Sequence, residues 1–257
     1  MKTIFPKWIN KAVPVVALSA GLIPLLIASG LYLYGSDKNL SVGYKPVQPI
    51  AFSHELHAGE MGMDCRYCHV NVERSPHATV PPAQICMNCH KNVKTTSPKL
   101  ALLREVAGVD NNGQKVAAAE RGEKFGKPIP WVRIHNIPDY AYFDHSIHIN
   151  ANVGCKSCHG RIDQMPVVKQ VKPLTMGWCL DCHDNPYEHI RPPEVKPTDM
   201  KWPASAADKS RQEEYANKLR EVNQLHKAKE FAKLKERKDL QGIKNFNPPR
   251  ECSACHR

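Results

Sequence analysis

Cys65-Arg66-Tyr67-Cys68-His69 is the first of five Cys-X-X-Cys-His strings in this chain. The others run from Cys86 through Cys89 to His90, Cys155 through Cys158 to His159, Cys179 through Cys182 to His183, and Cys252 through Cys255 to His256. Together they use all ten cysteines of the 257 residues. Such a string is the attachment signature of c-type haem: the two thiols form thioether bonds to the haem vinyl groups, and the adjacent His ligates the iron. The sequence therefore predicts five covalently bound haem c groups, with His69, His90, His159, His183 and His256 as proximal ligands.

The competing readings of paired cysteines fit less well. A zinc ribbon uses Cys-X-X-Cys pairs but requires no His after each. Only 13 of the 257 residues are His, so five successions of His behind a Cys pair are not coincidence. Thioredoxin-type redox chemistry calls for one such motif near a βαβ pattern, and a disulfide framework has no need of this spacing.

Composition agrees with a cofactor-filled interior. The chain has 21 Pro, 14 Gly and 7% aromatic residues, a poor recipe for a large aliphatic core. The expected fold is mostly α with little regular secondary structure, in which haem replaces the sheet or bundle of an ordinary domain. The formal charge of +11 invites a nucleic-acid reading. Two propionates on each of five haems offset most of that charge, and no groove-reading motif is present, so nucleic acid is not an expected partner.

The N-terminal stretch is organised differently. Ala12 to Ser36 contains no charged residue, and Val13 to Leu33 is almost wholly apolar or small. That is long enough to cross a hydrocarbon core of ~30 Å as a helix. Lys2, Lys7 and Lys11 precede it without an acidic residue among them, which places the N-terminus in the cytoplasm and the rest of the chain outside the inner membrane. Trp8, Tyr32 and Tyr34 suit the two interfaces. A cleaved signal peptide is the rival, with Ala28-Ser29-Gly30 as a small-residue site, but an ordinary apolar region of that kind is shorter. Ala17 and Gly21, with Pro14 and Pro24, are easier to accommodate beside partner helices than alone in lipid.

Beyond the anchor an internal repeat appears. Phe52-Ser53-His54-Glu55-Leu56-His57 precedes the motifs at Cys65 and Cys86, and Phe143-Asp144-His145-Ser146-Ile147-His148 precedes those at Cys155 and Cys179. Histidines at i and i+3 on one helical turn can serve two neighbouring irons from one rigid element. The expected organisation is residues 1–36 as tail and transmembrane anchor, 37–51 as linker and 52–96 as a first dihaem unit. Residues 97–130 follow as a connecting segment, 131–200 as a second dihaem unit, and 201–257 as a charged helix with the fifth site.

These paired histidines resemble the class III multihaem cytochromes, giving two class III-like units. The resemblance implies that His54 caps the haem of Cys65 and Cys68, that His145 caps the haem of Cys155 and Cys158, and that His57 and His148 serve other haems. The stretches Trp131-Val132-Arg133-Ile134-His135, Pro138-Asp139, Gly160-Arg161-Ile162-Asp163-Gln164-Met165 and Met176-Gly177-Trp178-Cys179 narrow it further. Over roughly residues 5–95 and 125–195 the chain is similar to the pentahaem cytochrome c subunit of alternative complex III. That family implies an iron–sulfur, molybdopterin-like subunit, polytopic quinol-binding membrane subunits, and a monohaem cytochrome c or terminal oxidase as partners. Electron relay from quinol, without bond chemistry on this subunit, is the implied function.

Seven residues compete for five distal positions: His54, His57, His77, His135, His145, His148 and Met165. Thioether ligation raises the potential relative to two histidines, so a Met165-ligated haem would be a high-potential exit. His189 and His226 read as solvent-exposed. Residues 97–127 carry a short helical pattern at Leu100, Leu102, Leu103 and Val106 and a turn at Asp110 to Gly113. Residues 204–240 read as one long charged helix with Tyr215, Leu219, Val222, Leu225, Phe231 and Leu234 as an apolar stripe.

Three alternatives remain at this level. A pentahaem nitrite-type reductase needs an open iron position, often with Lys replacing a motif His, whereas all five motifs here end in His. A membrane-anchored multihaem quinol dehydrogenase also has one N-terminal helix. An electron-transfer subunit of another oxidoreductase, such as a molybdenum enzyme, is the third.

Overall fold

The computed structural model describes residues 6–35 and 41–256. Lys2 and residues 36–40, which bear on the expected orientation and on the start of the linker, lie outside the described residues. Among the described residues there is no strand, only three isolated bridges, Val109 with Lys115, Ala141 with His256, and Val153 with Ile190. The chain is otherwise helical turns joined by irregular segments.

Helix α1 spans Ile9–Gly35, 27 residues with no acidic residue and no buried one. At 1.5 Å per residue that is about 40 Å, more than a hydrocarbon core requires. It is the one helix among the described residues long and apolar enough to cross a membrane. Pro14 and Pro24 both lie inside it.

The helices that follow are short: α2 (Cys65–Cys68), α3 (Ala83–His90), α4 (Ala101–Ala107), α5 (His145–Asn150), α6 (Cys155–His159) and α7 (Met176–Asp184). The C-terminal part holds α8 (Ala206–Lys227), α9 (Phe231–Glu236) and α10 (Cys252–Cys255). A π-helical turn, Glu55–Glu60, precedes α2. Segments this short do not hold themselves as helices in water, so tertiary contacts and cofactor attachment must fix them.

Three packing features position the motifs. Ile50, Ala83, Leu103 and Val106 form a small buried cluster, with Cys86, Met87, Ile129 and Trp131 against it. The segment between the halves therefore packs on the second motif helix and does more than connect. Helix α4 ends at Gly108 in the left-handed conformation, and Asp110 closes the expected turn by accepting from the Asn112 and Gln114 amides, both at 2.8 Å. Residues 43 and 44 pair with Gln170, whose carbonyl accepts from Gly43 N at 2.8 Å and whose N–H donates to Tyr44 O at 3.0 Å. The linker is thereby tied to the second half.

The expected single helix over residues 204–240 is broken. Helix α8 opens with a capping box in which Ser205 and Asp208 satisfy each other's backbone amides, and it ends at Lys227. Lys229 takes φ of 59°, the left-handed region, and turns the chain so that Phe231 meets His226 edge-on at 5.4 Å. The apolar stripe is real where it meets protein: Ala216, Leu219 and Val222 are buried, whereas Phe231 is exposed. Trp202 Nε1 donates to Gln212 and Asn223 Nδ2 donates to the Tyr187 hydroxyl, seating α8 on the residues after α7.

Candidate functional site

Each Cys-X-X-Cys pair occupies one helical turn, so the two thiols, three residues apart, share a face. The motif His follows one residue later, on the side of the first Cys. The chain holds each turn with local chemistry. Asp64 accepts from Arg66 N at 2.9 Å, capping α2, and its carboxylate also pairs with the Arg66 guanidinium. Thr175 caps α7 by accepting from Trp178 N. Pro82 sets the extended entry to α3, and Gly154 precedes α6 where any Cβ would run into the Arg191 guanidinium.

Seven of the histidines share one hydrogen-bonding habit. Nδ1 of His69 lies 2.6 Å from Thr79 O, that of His90 3.0 Å from Val93 O, that of His183 2.7 Å from Pro249 O and that of His256 3.1 Å from Tyr140 O. Among the paired histidines, Nδ1 of His57 meets Ser53 O at 2.8 Å, that of His148 meets Asp144 O at 2.7 Å and that of His145 meets Pro76 O at 2.7 Å. A carbonyl only accepts, so each Nδ1 carries the proton and each Nε2 is left with a bare lone pair. This is how proteins fix an imidazole for a metal.

The repeat is reproduced ring by ring. Phe52 lies edge-on to His54 at 4.8 Å and stacked on His57 at 4.4 Å, and Phe143 does the same to His145 and His148 at the same two distances. The paired histidines then face motif histidines. His57 is 6.2 Å from His90, His148 is 6.2 Å from His183 and His145 is 6.4 Å from His159 between ring centres. Two imidazoles bound through Nε2 to opposite sides of one iron, at ~2 Å each, have ring centres roughly 6 Å apart. The residues fit haem: three such pairs stand at the separation that a shared iron imposes. His54 stands close enough to His69 to feel its charge.

The electrostatics follow from this crowding. Loss of water around His159, together with His135, His145, His69 and His54, holds its pKa at about 3. His54 is held at about 4 by burial first and then by His69 and His57. Burial also lowers His148 and His135. All of these are neutral at physiological pH, the form that ligates. As free thiols, Cys65 falls to about 7 through a hydrogen bond with Cys155, and burial raises Cys158 to about 12.

The remaining candidates are placed differently. His135 lies against His159, its Nε2 3.3 Å from His159 Nδ1 and the rings edge-on at 4.4 Å. It is thus on the far edge of a motif His. His77 is exposed, with its amide donating to Ser75 Oγ, and no ring contact brings it to a motif His among the described residues. Met165 is 8% exposed, and its carbonyl accepts from Glu55 N at 3.1 Å. The ring beside His256 is Tyr140, 5.8 Å away. His189 and His226, expected in solvent, are both half-buried: His189 sits beside Ile190 and burial lowers its pKa, and His226 is covered by Phe231.

Sequence reasoning missed the carbonyl acceptors of Thr79, Val93, Pro76, Pro249 and Tyr140. No side-chain type marks a residue whose backbone oxygen does the work. Phe52 and Phe143 were visible as members of the repeat, although their stacking role was not.

The Cys-X-X-Cys-His turns and the facing imidazoles are similar in layout to those of multihaem c-type cytochromes. Residues 50–115 match the family model of cytochrome c7 and related cytochrome c. The chain is also similar to the multihaem cytochrome c subunit of menaquinone reductase from Nitratidesulfovibrio vulgaris (strain Hildenborough), with 33% identity over 112 residues. That match covers 44% of this chain and 45% of the relative, so the chain spans less than half the length of the protein it resembles.

Proposed function

We propose that this chain is a membrane-anchored pentahaem cytochrome that relays electrons between a quinone-reactive membrane complex and a periplasmic cytochrome, copper protein or terminal oxidase. Haem c, when bound, supplies one-electron transfer between ferric and ferrous iron. The chain's own residues supply ligands, desolvation and spacing. The observation that carries the reading is the set of three imidazole pairs at 6.2–6.4 Å, whose histidines would hold a shared iron from both sides and leave no position there for a substrate. That favours an electron-transfer subunit over a nitrite-type reductase.

In this reading His57 serves the Cys86 site, His145 the Cys155 site and His148 the Cys179 site, with His54 on the Cys65 site. His77, His135 and Met165 are not assigned to a site; the ring beside His256 is Tyr140. Helix α1 anchors the protein in the inner membrane, N-terminus in the cytoplasm and cytochrome domain in the periplasm. The partners are an iron–sulfur, molybdopterin-like subunit and polytopic quinol-binding subunits, as in alternative complex III, with quinol as the electron source.

The relative from N. vulgaris favours a second direction of flow. Its name describes menaquinone reduction, and flow toward quinone is the corresponding direction for this chain. Purification in mild detergent with mass spectrometry and redox-titrated EPR tests the reading. Five covalent low-spin haems co-purifying with iron–sulfur and polytopic subunits support it, and a high-spin haem on a protein without such partners sinks it. Quinol oxidation against quinone reduction by the intact complex decides the direction.

A further inference from the structure

Resting on the pentahaem reading, we propose that the attachment sites are not strung in chain order: the Cys65 and Cys155 sites meet at the centre, the Cys86 site forms one end, and the Cys179 and Cys252 sites continue to the other. Numbered along the sequence, the spatial order is 2–1–3–4–5.

The junction is built by contacts between the halves. His145 reaches back to the loop after the first motif, with both its amide at 3.2 Å and its Nδ1 at 2.7 Å on Pro76 O. Asn150 Nδ2, at the end of the same helix, donates to Glu73 O at 3.2 Å. Thr198 Oγ1 donates to the Asp64 carboxylate, beside Cys65, at 3.2 Å, and Cys155 N donates to Pro197 O at 3.0 Å. Two adjacent residues, Pro197 and Thr198, thus touch the first residue of the Cys155 motif and the residue just before the Cys65 motif. The Cys65 thiol lies beside that of Cys155. Gly59 lies so close to the Asp163 carbonyl that no side chain would fit between the halves there.

Outward from this junction each step has its own link. Histidines on one turn serve neighbouring sites, so His54 and His57 join site 1 to site 2, and His145 and His148 join site 3 to site 4. The fifth site attaches to the fourth: Pro249 O accepts from His183 Nδ1, and Arg250 pairs with Asp184 at 2.7 Å. Site 2 is backed on its other side by α4 and Ile50, which carry no motif. An electron travelling the whole length thus crosses the boundary between the repeats in a single step, from site 1 directly to site 3, one step in from the site 2 end.

The test is pulsed EPR on the oxidised, membrane-extracted holoprotein lacking one attachment site. With Cys65→Ala and Cys68→Ala, site 2 is expected to lose its nearest magnetic neighbour. Retention of a close neighbour would mean that site 2 touches site 3 and would overturn the order. A second variant needs no missing haem: Glu73→Cys with Asn150→Cys in the otherwise intact protein is expected to form a disulfide with all five haems retained. Failure to cross-link under oxidation overturns the junction. Mass spectrometry of the unaltered protein keeps the two ideas apart, since fewer than five haems defeats the pentahaem reading whatever the order.

Discussion

His145 and His159 lie with their rings 8° from parallel and 6.4 Å apart, while His148, one helical turn from His145, faces His183 at 6.2 Å. One six-residue helix therefore addresses two motifs. Replacing His148 by Ala is expected to convert one haem of five, that of Cys179 and Cys182, from low-spin to high-spin and to leave the His159 site unchanged. His145→Ala should do the reverse. Resonance Raman and EPR of the two variants read this directly, and an all-low-spin His148→Ala protein would refute the pairing.

Asp64 couples the first motif to acid. The Arg66 guanidinium bonded to its carboxylate, helped by Thr198, holds its pKa at about 2 against an ordinary 3.8. The folded-state pKa is depressed, so the stabilisation is present above the unfolded value and is lost as pH falls from about 4 toward 2. Because the carboxylate is partly exposed, solvent screening keeps the effect modest. Asn at position 64 retains a capping oxygen but no charge. Guanidinium unfolding of the detergent-solubilised protein should show a shallower loss of stability across that acid window for Asp64→Asn than for the native chain.

Arg191 is 5% exposed, and its Nη1 donates to Lys196 O at 2.6 Å and Asp199 O at 2.7 Å. Its guanidinium also lies where a Cβ on Gly154 would go. Arg191→Met removes both bonds, leaving the Lys196 and Asp199 carbonyls without that donor, and should cost about 2–3 kcal/mol. Gly154→Ala displaces the same guanidinium and should destabilise the same region. The unfolding midpoint measures both, and a native midpoint in Arg191→Met would show that the two bonds carry no net stability.

Leu219 is 2% exposed on the buried face of α8. Leu219→Ala should cost ~2–5 kcal/mol locally. Limited proteolysis should then cut within residues 204–240 faster, while the haem spectra of the first four sites stay as they were. Spectral change at those sites would mean that α8 holds the cytochrome core itself.

The histidine repeat was legible because it is written in side-chain types at fixed spacing, and the rings at Phe52 and Phe143 repeat it in space. The helix at 101–107 and the turn at Asp110 were legible for the same reason, one from periodicity and the other from a carboxylate with a later glycine. The position of His135 was not. Its spacing in sequence says nothing about which edge of His159 it meets, since that depends on backbone paths between distant segments. The break at Lys229 was hidden too, because Lys is an ordinary helix former and the turn is closed by backbone bonds, such as Glu230 N to Leu225 O, together with the contact of Phe231 with His226. The contacts that join the halves run largely through carbonyls and the short side chain of Thr198, which leave no pattern to find.

The meeting of Cys65 with Cys155 has a consequence for maturation. Before the cofactor is attached, the Cys65 thiol lies beside a second thiol from the other half, and that neighbour lowers its pKa from the ordinary value, which raises its share of reactive thiolate. A chain that folded before attachment under oxidising conditions would close this pair as a cross-link and disable two attachment sites at once. Attachment must therefore outrun folding, or a reductant must hold these two sulfurs apart until both carry their cargo.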